Sequence, residues 1–134
     1  DALPIFASMV QVEGDPDVYE KVARVIYNRL AIGMPLQLNS TVQYAANLRG
    51  QIHLTTKATQ INSPYNTYRV VGLPPTPINN PSLAAIRATQ KPATGDWIYF
   101  ITVKPRDTRF TKDFDVFQGW VTEYNKNRAA GAFK

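Results

Sequence analysis

Apolar residues recur at helical spacing near the start of the chain. Phe6, Met9 and Glu13 follow one another at steps of three and four, which predicts a helix that begins near Pro4 and is ended by Gly14. Glu13 thus continues an apolar stripe, where desolvation would raise the pKa of its carboxyl group and suit it to general acid catalysis. The alternative is that Glu13 lies at a frayed helix end and faces water.

The next helix has the clearest pattern in the sequence. Asp15 is placed to cap it, Pro16 fits its first turn and Gly33 follows its end. Its apolar stripe consists of Val18, Val22, Val25, Ile26 and Leu30. Arg29 falls on this stripe, so its side chain is expected either to run along the apolar face to solvent or to form a buried ion pair.

Three more helices are predicted farther along the chain. Ser40 and Ser82 are placed to cap short helices over 41–48 and 83–89. A final helix over 114–124 has apolar residues at steps of three and four, with basic residues after it that complement the helix dipole.

Alternating apolar and β-branched residues predict three strands. These cover 67–71, 97–103 and 108–111, and a turn at 104–107 makes the last two a hairpin. Helices followed by a small sheet and a last helix indicate an α+β fold.

Composition is typical of one globular domain that spans residues 1–134. The chain is 44% hydrophobic and 19% charged, and it contains no cysteine, which excludes disulfides and a thiol nucleophile. The uncharged stretch 70–86 holds four prolines and cannot be a membrane helix. The N-terminus lacks the basic region of a signal peptide.

The net charge of +5 arises in the second half, because residues 1–67 carry equal numbers of acidic and basic side chains. This excess indicates an anionic partner such as nucleic acid, anionic lipid or an acidic polymer, or simply a basic solvated surface.

Few residues could carry chemistry. His53 is the only histidine, and the acidic residues show no metal-binding spacing, so no metal site is predicted. No nucleophile elbow and no glycine-rich phosphate loop are present. Residues 34–81 combine amides, hydroxyls, tyrosines and prolines, which is typical either of a sugar-binding cleft or of an ordinary proline-rich loop.

Several segments occur in the order found in one family: ASMVQVEGD, KVARVIYNRL, GMPLQLNSTVQY, SPYNTY, GLPPTPINNP and IYFITV. On these segments the chain resembles the endolytic murein transglycosylases, also called the YceG-like family, from about Ala7 to Tyr124. The resemblance implies an α+β domain with helices packed on a small antiparallel sheet and a lysozyme-like catalytic cleft. It also implies cleavage of the MurNAc–GlcNAc bond within peptidoglycan strands, leaving 1,6-anhydroMurNAc ends and terminating nascent strands.

The resemblance implies that Glu13 is the catalytic residue. The family often has two acids in this helix, and the earlier one is Gln11 here. A frequent aspartate is Asn39, so a second catalytic carboxylate is not expected there, and histidines common in the family are replaced by Arg109 and Phe117. The substrate-binding residues implied by the motifs are Gln37, Asn39, Thr41, Ser63, Tyr65, Asn66, Thr67 and Tyr68.

A lytic transglycosylase, as the resemblance implies, needs one carboxyl group and no cofactor. Glu13 would protonate the glycosidic oxygen and then take the proton of the C6 hydroxyl, so an intramolecular nucleophile replaces the second carboxylate of ordinary glycosidases.

The resemblance also implies partners and a location. Peptidoglycan glycan strands are the expected partner and cell-wall synthases are candidates, whereas nucleic acid is not expected. Members of the family usually carry an N-terminal membrane helix and a LysM-like region, and neither is recognised in this sequence, so we expect an isolated catalytic domain. The expected location of the full-length protein is extracytoplasmic, at the outer face of the cytoplasmic membrane, with membrane attachment only through the missing N-terminal anchor. The alternatives are a non-catalytic peptidoglycan-binding module and a basic nucleic-acid-binding domain.

Overall fold

The computed structural model of the chain describes residues 2–46 and 56–133. The helices are α1 (Ala2–Glu13), α2 (Tyr19–Ala31), α3 (Asn39–Ala46), α4 (Leu83–Gln90) and α5 (Phe114–Ala129). Two 3₁₀ helices are Pro16–Val18 and Ala58–Gln60, and the strands are β1 (Tyr99–Lys104) and β2 (Asp107–Thr111). These elements confirm the predicted α+β class.

The core forms where α1 packs against α2 and α4. Residues 6–10 of α1 are all buried, so the middle of this helix is covered on every side. On α2 the predicted stripe is confirmed, since Val22, Val25 and Ile26 are fully buried, and each such side chain contributes about 1.5–3 kcal/mol. Because the centre of α1 is locked in the core, the position of its last residue is fixed.

The connection from α1 to α2 is tight. Helix α1 ends at Glu13, as predicted, and a Cβ atom on Gly14 would lie 2.9 Å from Cγ2 of Val22. Asp15 precedes the 3₁₀ turn rather than α2 and, within the described residues, its side chain makes no capping hydrogen bond. The predicted cap is therefore wrong, because the chain first passes through the 3₁₀ turn at Pro16–Val18.

The two predicted serine caps have different outcomes. Ser82 caps α4, and its Oγ accepts a hydrogen bond from the Ala85 amide at 3.2 Å, as predicted. Ser40 lies inside the first turn of α3, which begins two residues earlier than expected. The predicted end of this helix at 48 and the single histidine, His53, lie outside the described residues.

No strand forms at 67–71; the chain turns at 67–69 and bends at 70. Asn66 explains the difference, since its Oδ1 accepts from the Tyr68 amide at 3.1 Å and its backbone carbonyl accepts from the amides of Arg69 and Val70 at 3.0 Å. An asparagine that bonds to the chain just ahead of it favours a turn over an extended strand.

The predicted hairpin is confirmed, with β1 and β2 antiparallel and Phe100 opposite Phe110. Helix α5 is capped by Asp113 and packs on β1, where Nδ2 of Asn127 donates to the Val103 carbonyl at 2.8 Å. Arg109 joins the hairpin to α5 by bonding Glu123 at 2.9 Å. Within the described ranges, no helix combines the length and apolar character needed to cross a membrane.

Candidate active site

Glu13 opens into a cavity of about 590 Å³. Part of its lining is polar: Glu13, Arg29, Gln37, Asn39, Tyr68 and Asn125. Strand β1 and helix α5 supply an aromatic and apolar wall: Tyr99, Phe100, Phe117, Val121 and Tyr124. A cavity with a few polar groups on an apolar wall is typical of a small-molecule or glycan site.

A second cavity, of about 400 Å³, also contains Glu13. It shares Thr102 and Phe133 with the larger cavity and adds Asp15 and Arg106. Glu13 therefore lies where two open spaces meet. An extended ligand could occupy both and pass the carboxyl group.

The carboxyl group of Glu13 is held by the start of α3, because its Oε2 accepts a hydrogen bond from the Ser40 amide at 3.1 Å. Burial raises the pKa of Glu13, and the Ser40 hydrogen bonds and the positive charge of Arg29 oppose this rise. The pKa of Glu13 thus moves in the predicted direction, and the hydrogen bond from Ser40 holds the carboxyl group in place, so Glu13 does not lie at a frayed helix end.

Arg29 is buried, with 5% of its surface exposed. Its Nε donates to the Ile98 carbonyl at 2.7 Å and its Nη1 donates to the Leu36 carbonyl. Among the described residues Arg29 forms no ion pair, so neither expected arrangement is found. Instead its guanidinium joins the chain just before Gln37 to the chain just before β1, and it lies 5.9 Å from the Tyr99 ring centre.

Three of the predicted binding residues share the cavity with Glu13: Gln37, Asn39 and Tyr68. The Tyr68 hydroxyl donates to Oδ1 of Asn39. Burial, followed by the nearby negative charge of Glu13, raises the pKa of Tyr68 to about 12. Tyr68 therefore keeps its proton at neutral pH and remains a hydrogen-bond donor.

Three others, Thr41, Asn66 and Thr67, are buried behind the cavity wall. Thr67 Oγ1 accepts from the Leu38 amide at 2.9 Å and lies 2.8 Å from Thr41 Oγ1. Asn66 Nδ2 donates to the Ile61 carbonyl at 2.7 Å. In the structure these buried side chains support the cavity-lining segment from inside. Their contact with substrate stays a prediction.

Ser63 and Tyr65 are not brought to the 590 Å³ cavity. Ser63 Oγ accepts from the Tyr65 amide at 3.1 Å. The Tyr65 ring packs against Tyr44 at 5.1 Å, and its hydroxyl lies 2.8 Å from Thr76 Oγ1. Binding of substrate by these two residues also stays a prediction.

The aromatic wall was not among the site residues expected from the sequence. Tyr99 and Phe117 stack with ring centres 5.0 Å apart and an interplanar angle of 20°. A signal was available, because a two-stranded antiparallel sheet commonly buries only one face. Aromatic side chains on the face of such a small sheet that is not buried in the core can therefore line a cleft.

In the parts of the chain that the structure describes, no three histidine, cysteine, aspartate or glutamate side chains are grouped so as to hold a metal ion. Glu13 is also the single carboxyl group among the described residues that line the larger cavity.

Relatives with known names share much of this sequence. An endolytic murein transglycosylase of Bacillus subtilis is 38% identical over 107 residues, which cover 79% of this chain and 29% of that protein. One of Streptococcus pneumoniae is 43% identical over 100 residues, which cover 71% of this chain and 18% of that protein. The chain thus spans less than a third of the length of these curated relatives.

The fold and the family model agree with this likeness. A crystal structure of a yceG-like protein from Listeria monocytogenes matches with a TM-score of 0.79 at 34% identity, over 86% of this chain and 37% of that one. The model of the YceG-like family matches residues 1–123. Because this match covers nearly the whole chain, the protein belongs to the YceG-like family.

Proposed function

We propose that this chain is the catalytic domain of a peptidoglycan lytic transglycosylase. It cleaves the MurNAc–GlcNAc bond within glycan strands, leaves 1,6-anhydroMurNAc ends and so terminates nascent strands. The observation that carries the proposal is the desolvated carboxyl group of Glu13 at the junction of two cavities. The names of the relatives, endolytic murein transglycosylases, support the same activity.

Glu13 acts first as an acid and then as a base. It gives its proton to the glycosidic oxygen as the bond to the anomeric carbon breaks. The resulting carboxylate takes the proton of the C6 hydroxyl while that oxygen bonds to the anomeric carbon. One carboxyl group suffices because the nucleophile, the C6 hydroxyl group, belongs to the substrate.

The raised pKa of Glu13 suits the first of these steps. A carboxyl group of ordinary acidity has lost its proton at neutral pH, whereas burial of Glu13 favours the protonated form. The amide of Ser40 and the charge of Arg29 then stabilise the carboxylate that the first step produces. The site therefore supports both protonation states.

The cavity lining supports binding of a glycan on both sides of the cleaved bond. Gln37, Asn39 and Tyr68 offer amides and a hydroxyl that can bond sugar hydroxyl groups. The stacked rings of Tyr99 and Phe117 offer an apolar face for a pyranose ring. A site that continues past the acid in two directions fits cleavage inside a strand.

The proposal extends to location and partners. Peptidoglycan lies outside the cytoplasmic membrane, so the domain acts extracytoplasmically, at the outer face of that membrane. Cell-wall synthases, which make the nascent strands, are the proposed protein partners. The support for this step is the murein named in the relatives' activity.

The test is mass spectrometry of products from purified glycan strands. The wild-type protein should release fragments with anhydro ends, which are one water lighter than hydrolysed ends. Glu13→Gln should remain folded and bind strands, but cleave them about 10² to 10⁴ times more slowly. Glu20→Gln, at an exposed carboxyl group on α2, is the matched control and should retain activity.

Other results would change the assignment. Hydrolysed ends alone would make the protein a glycosidase. Binding without cleavage by the wild-type protein would favour a peptidoglycan-binding module, and full activity in Glu13→Gln would move the catalytic role to another residue.

A further inference from the structure

Ser40 stands directly beside Glu13 at the start of α3. Its backbone amide donates to Oε2 of Glu13 at 3.1 Å. The side chain is buried, with 4% of the residue surface exposed, and among the described residues its Oγ atom has no hydrogen-bond partner of good geometry. The hydroxyl group nevertheless lies close enough to the carboxyl group of Glu13 to oppose the rise in its pKa. A buried hydroxyl group without a well-formed hydrogen bond is costly, so a charged acceptor beside it would be favourable.

The backbone hydrogen bond distinguishes the two oxygens of the carboxyl group. An amide N–H can only donate, so Oε2 must accept from it whether Glu13 is ionised or neutral. A proton placed on Oε2 would make that oxygen a donor as well, next to the Ser40 amide, which can only donate. The acidic proton of neutral Glu13 therefore resides on Oε1.

We propose that Ser40 is a positioning residue: its amide holds Oε2 of Glu13, which leaves Oε1 to carry the transferred proton, and its hydroxyl donates to the carboxylate once that proton has left. This inference rests on the proposed function of Glu13 as acid and base. It assigns Ser40 a role that acts through Glu13, without contact to the glycan.

The location of Ser40 favours the second part of this role. Its amide belongs to the first turn of α3, where unpaired N–H groups stabilise negative charge. When the glycosidic oxygen takes the proton, negative charge appears on Glu13. The hydroxyl of Ser40 then gains a charged acceptor, and such hydrogen bonds are stronger than neutral ones.

Other charged or titratable groups also face Glu13. From the elements around the two cavities these are Arg29, Tyr68, Tyr99, Tyr124, Asp15 and Arg106. Substitution of Ser40 leaves all of them in place. A change in the titration of Glu13 in a folded Ser40 variant therefore reports the Ser40 hydrogen bonds.

The experiment follows the Glu13 carboxyl carbon by ¹³C NMR during a pH titration, together with the pH profile of turnover. Ser40→Ala removes the hydroxyl and keeps the amide. A hydrogen bond to a charged group corresponds to roughly one pKa unit. Because Ser40→Ala removes a donor to the carboxylate, the midpoint of the Glu13 titration should rise by about one pH unit. The high-pH limb of turnover should move upward with it, since Glu13 must be protonated to begin the reaction.

Ser40→Pro removes the amide hydrogen as well. It should raise the midpoint further and lower turnover more than Ser40→Ala, because the proton is no longer confined to Oε1. Circular dichroism checks that this variant folds, and Ser40→Ala tests the proposal by itself if it does not. Ser82→Ala is the matched control: it removes the cap of α4 and should lower stability without moving the Glu13 midpoint.

The outcomes separate this inference from the proposed function. An unchanged Glu13 midpoint in Ser40→Ala overturns the role of Ser40, even if Glu13→Gln still abolishes cleavage. If Glu13→Gln cleaves normally, the proposed function fails, whereas a shifted NMR midpoint would still establish the Ser40 hydrogen bonds. A uniform loss of rate with no shift in pH would show a merely structural role and also overturns the inference.

Discussion

Replacement of Arg29 by methionine should destabilise the fold and disturb the candidate active site together. The guanidinium group donates to the carbonyls of Ile98 and Leu36 from a position that is 5% exposed. Methionine can fill much of the space of the arginine stem. It leaves both carbonyl oxygens buried without a donor.

The expected loss follows from those two acceptors. A buried acceptor without a partner costs about 1–3 kcal/mol, so two cost about 2–6 kcal/mol. Part of this loss of stability is offset. Burial lowers the pKa of Arg29, because the charged guanidinium group is held out of water at a cost in free energy. Methionine carries no charge and does not incur this cost. We therefore expect the free energy of unfolding to fall by about 2–4 kcal/mol.

Urea denaturation measures this change as a lower midpoint at constant slope. Arg24→Met is the matched control on the same helix, because Nε of Arg24 makes one such bond, to the Ala93 carbonyl at 2.6 Å. It should cost about 1 kcal/mol. If Arg29→Met loses no more stability than Arg24→Met, water reaches the two carbonyls and the reasoning fails.

Three further predictions concern the same site. Burial raises the pKa of Glu13 above 4.5, so the folded state keeps a proton that the unfolded state loses, and stability present below pH 4.5 is lost as the pH rises through the folded pKa. Urea midpoints should therefore show Glu13→Gln more stable than wild type above this window, with a difference that vanishes below it; a pH-independent difference would contradict the burial argument. Thr67→Val leaves the Leu38 amide without its acceptor, and thermal denaturation should show a loss of about 1–3 kcal/mol, whereas an unchanged melting temperature would mean that water replaces the hydroxyl. Gly14→Ala places a methyl group 2.9 Å from buried Val22 and should cost about 1–3 kcal/mol by the same measurement, and no loss would show that α2 can shift.

Periodic patterns predicted the elements whose stability comes from burial of one face. The stripe of α2, the cap of α4 and the hairpin all follow from local residue types. The strand expected at 67–71 does not form, because one side chain, Asn66, bonds its own backbone and overrides the apolar pattern. Local hydrogen bonds of this kind do not appear in a hydrophobic pattern.

The candidate acid was predictable, but most of its surroundings were not. Glu13 stood out because a carboxyl group ended an apolar stripe. Its contact with Ser40 joins residues 27 positions apart, and the bond from Arg29 to Ile98 joins residues 69 apart. Spacing along one helix cannot show such contacts, since they depend on how separate elements pack.

The division between core and site explains why a partly buried acid is tolerated. Helix α1 is fixed by apolar contacts along residues 6–10, so Glu13 is not needed to hold it. The hydrogen bonds of Ser40, Thr67 and Arg29 then close the wall of the cavity around the carboxyl group. The core supplies the stability, and it allows the last residue of α1 to remain in an environment that favours its protonated form at a cost to the fold.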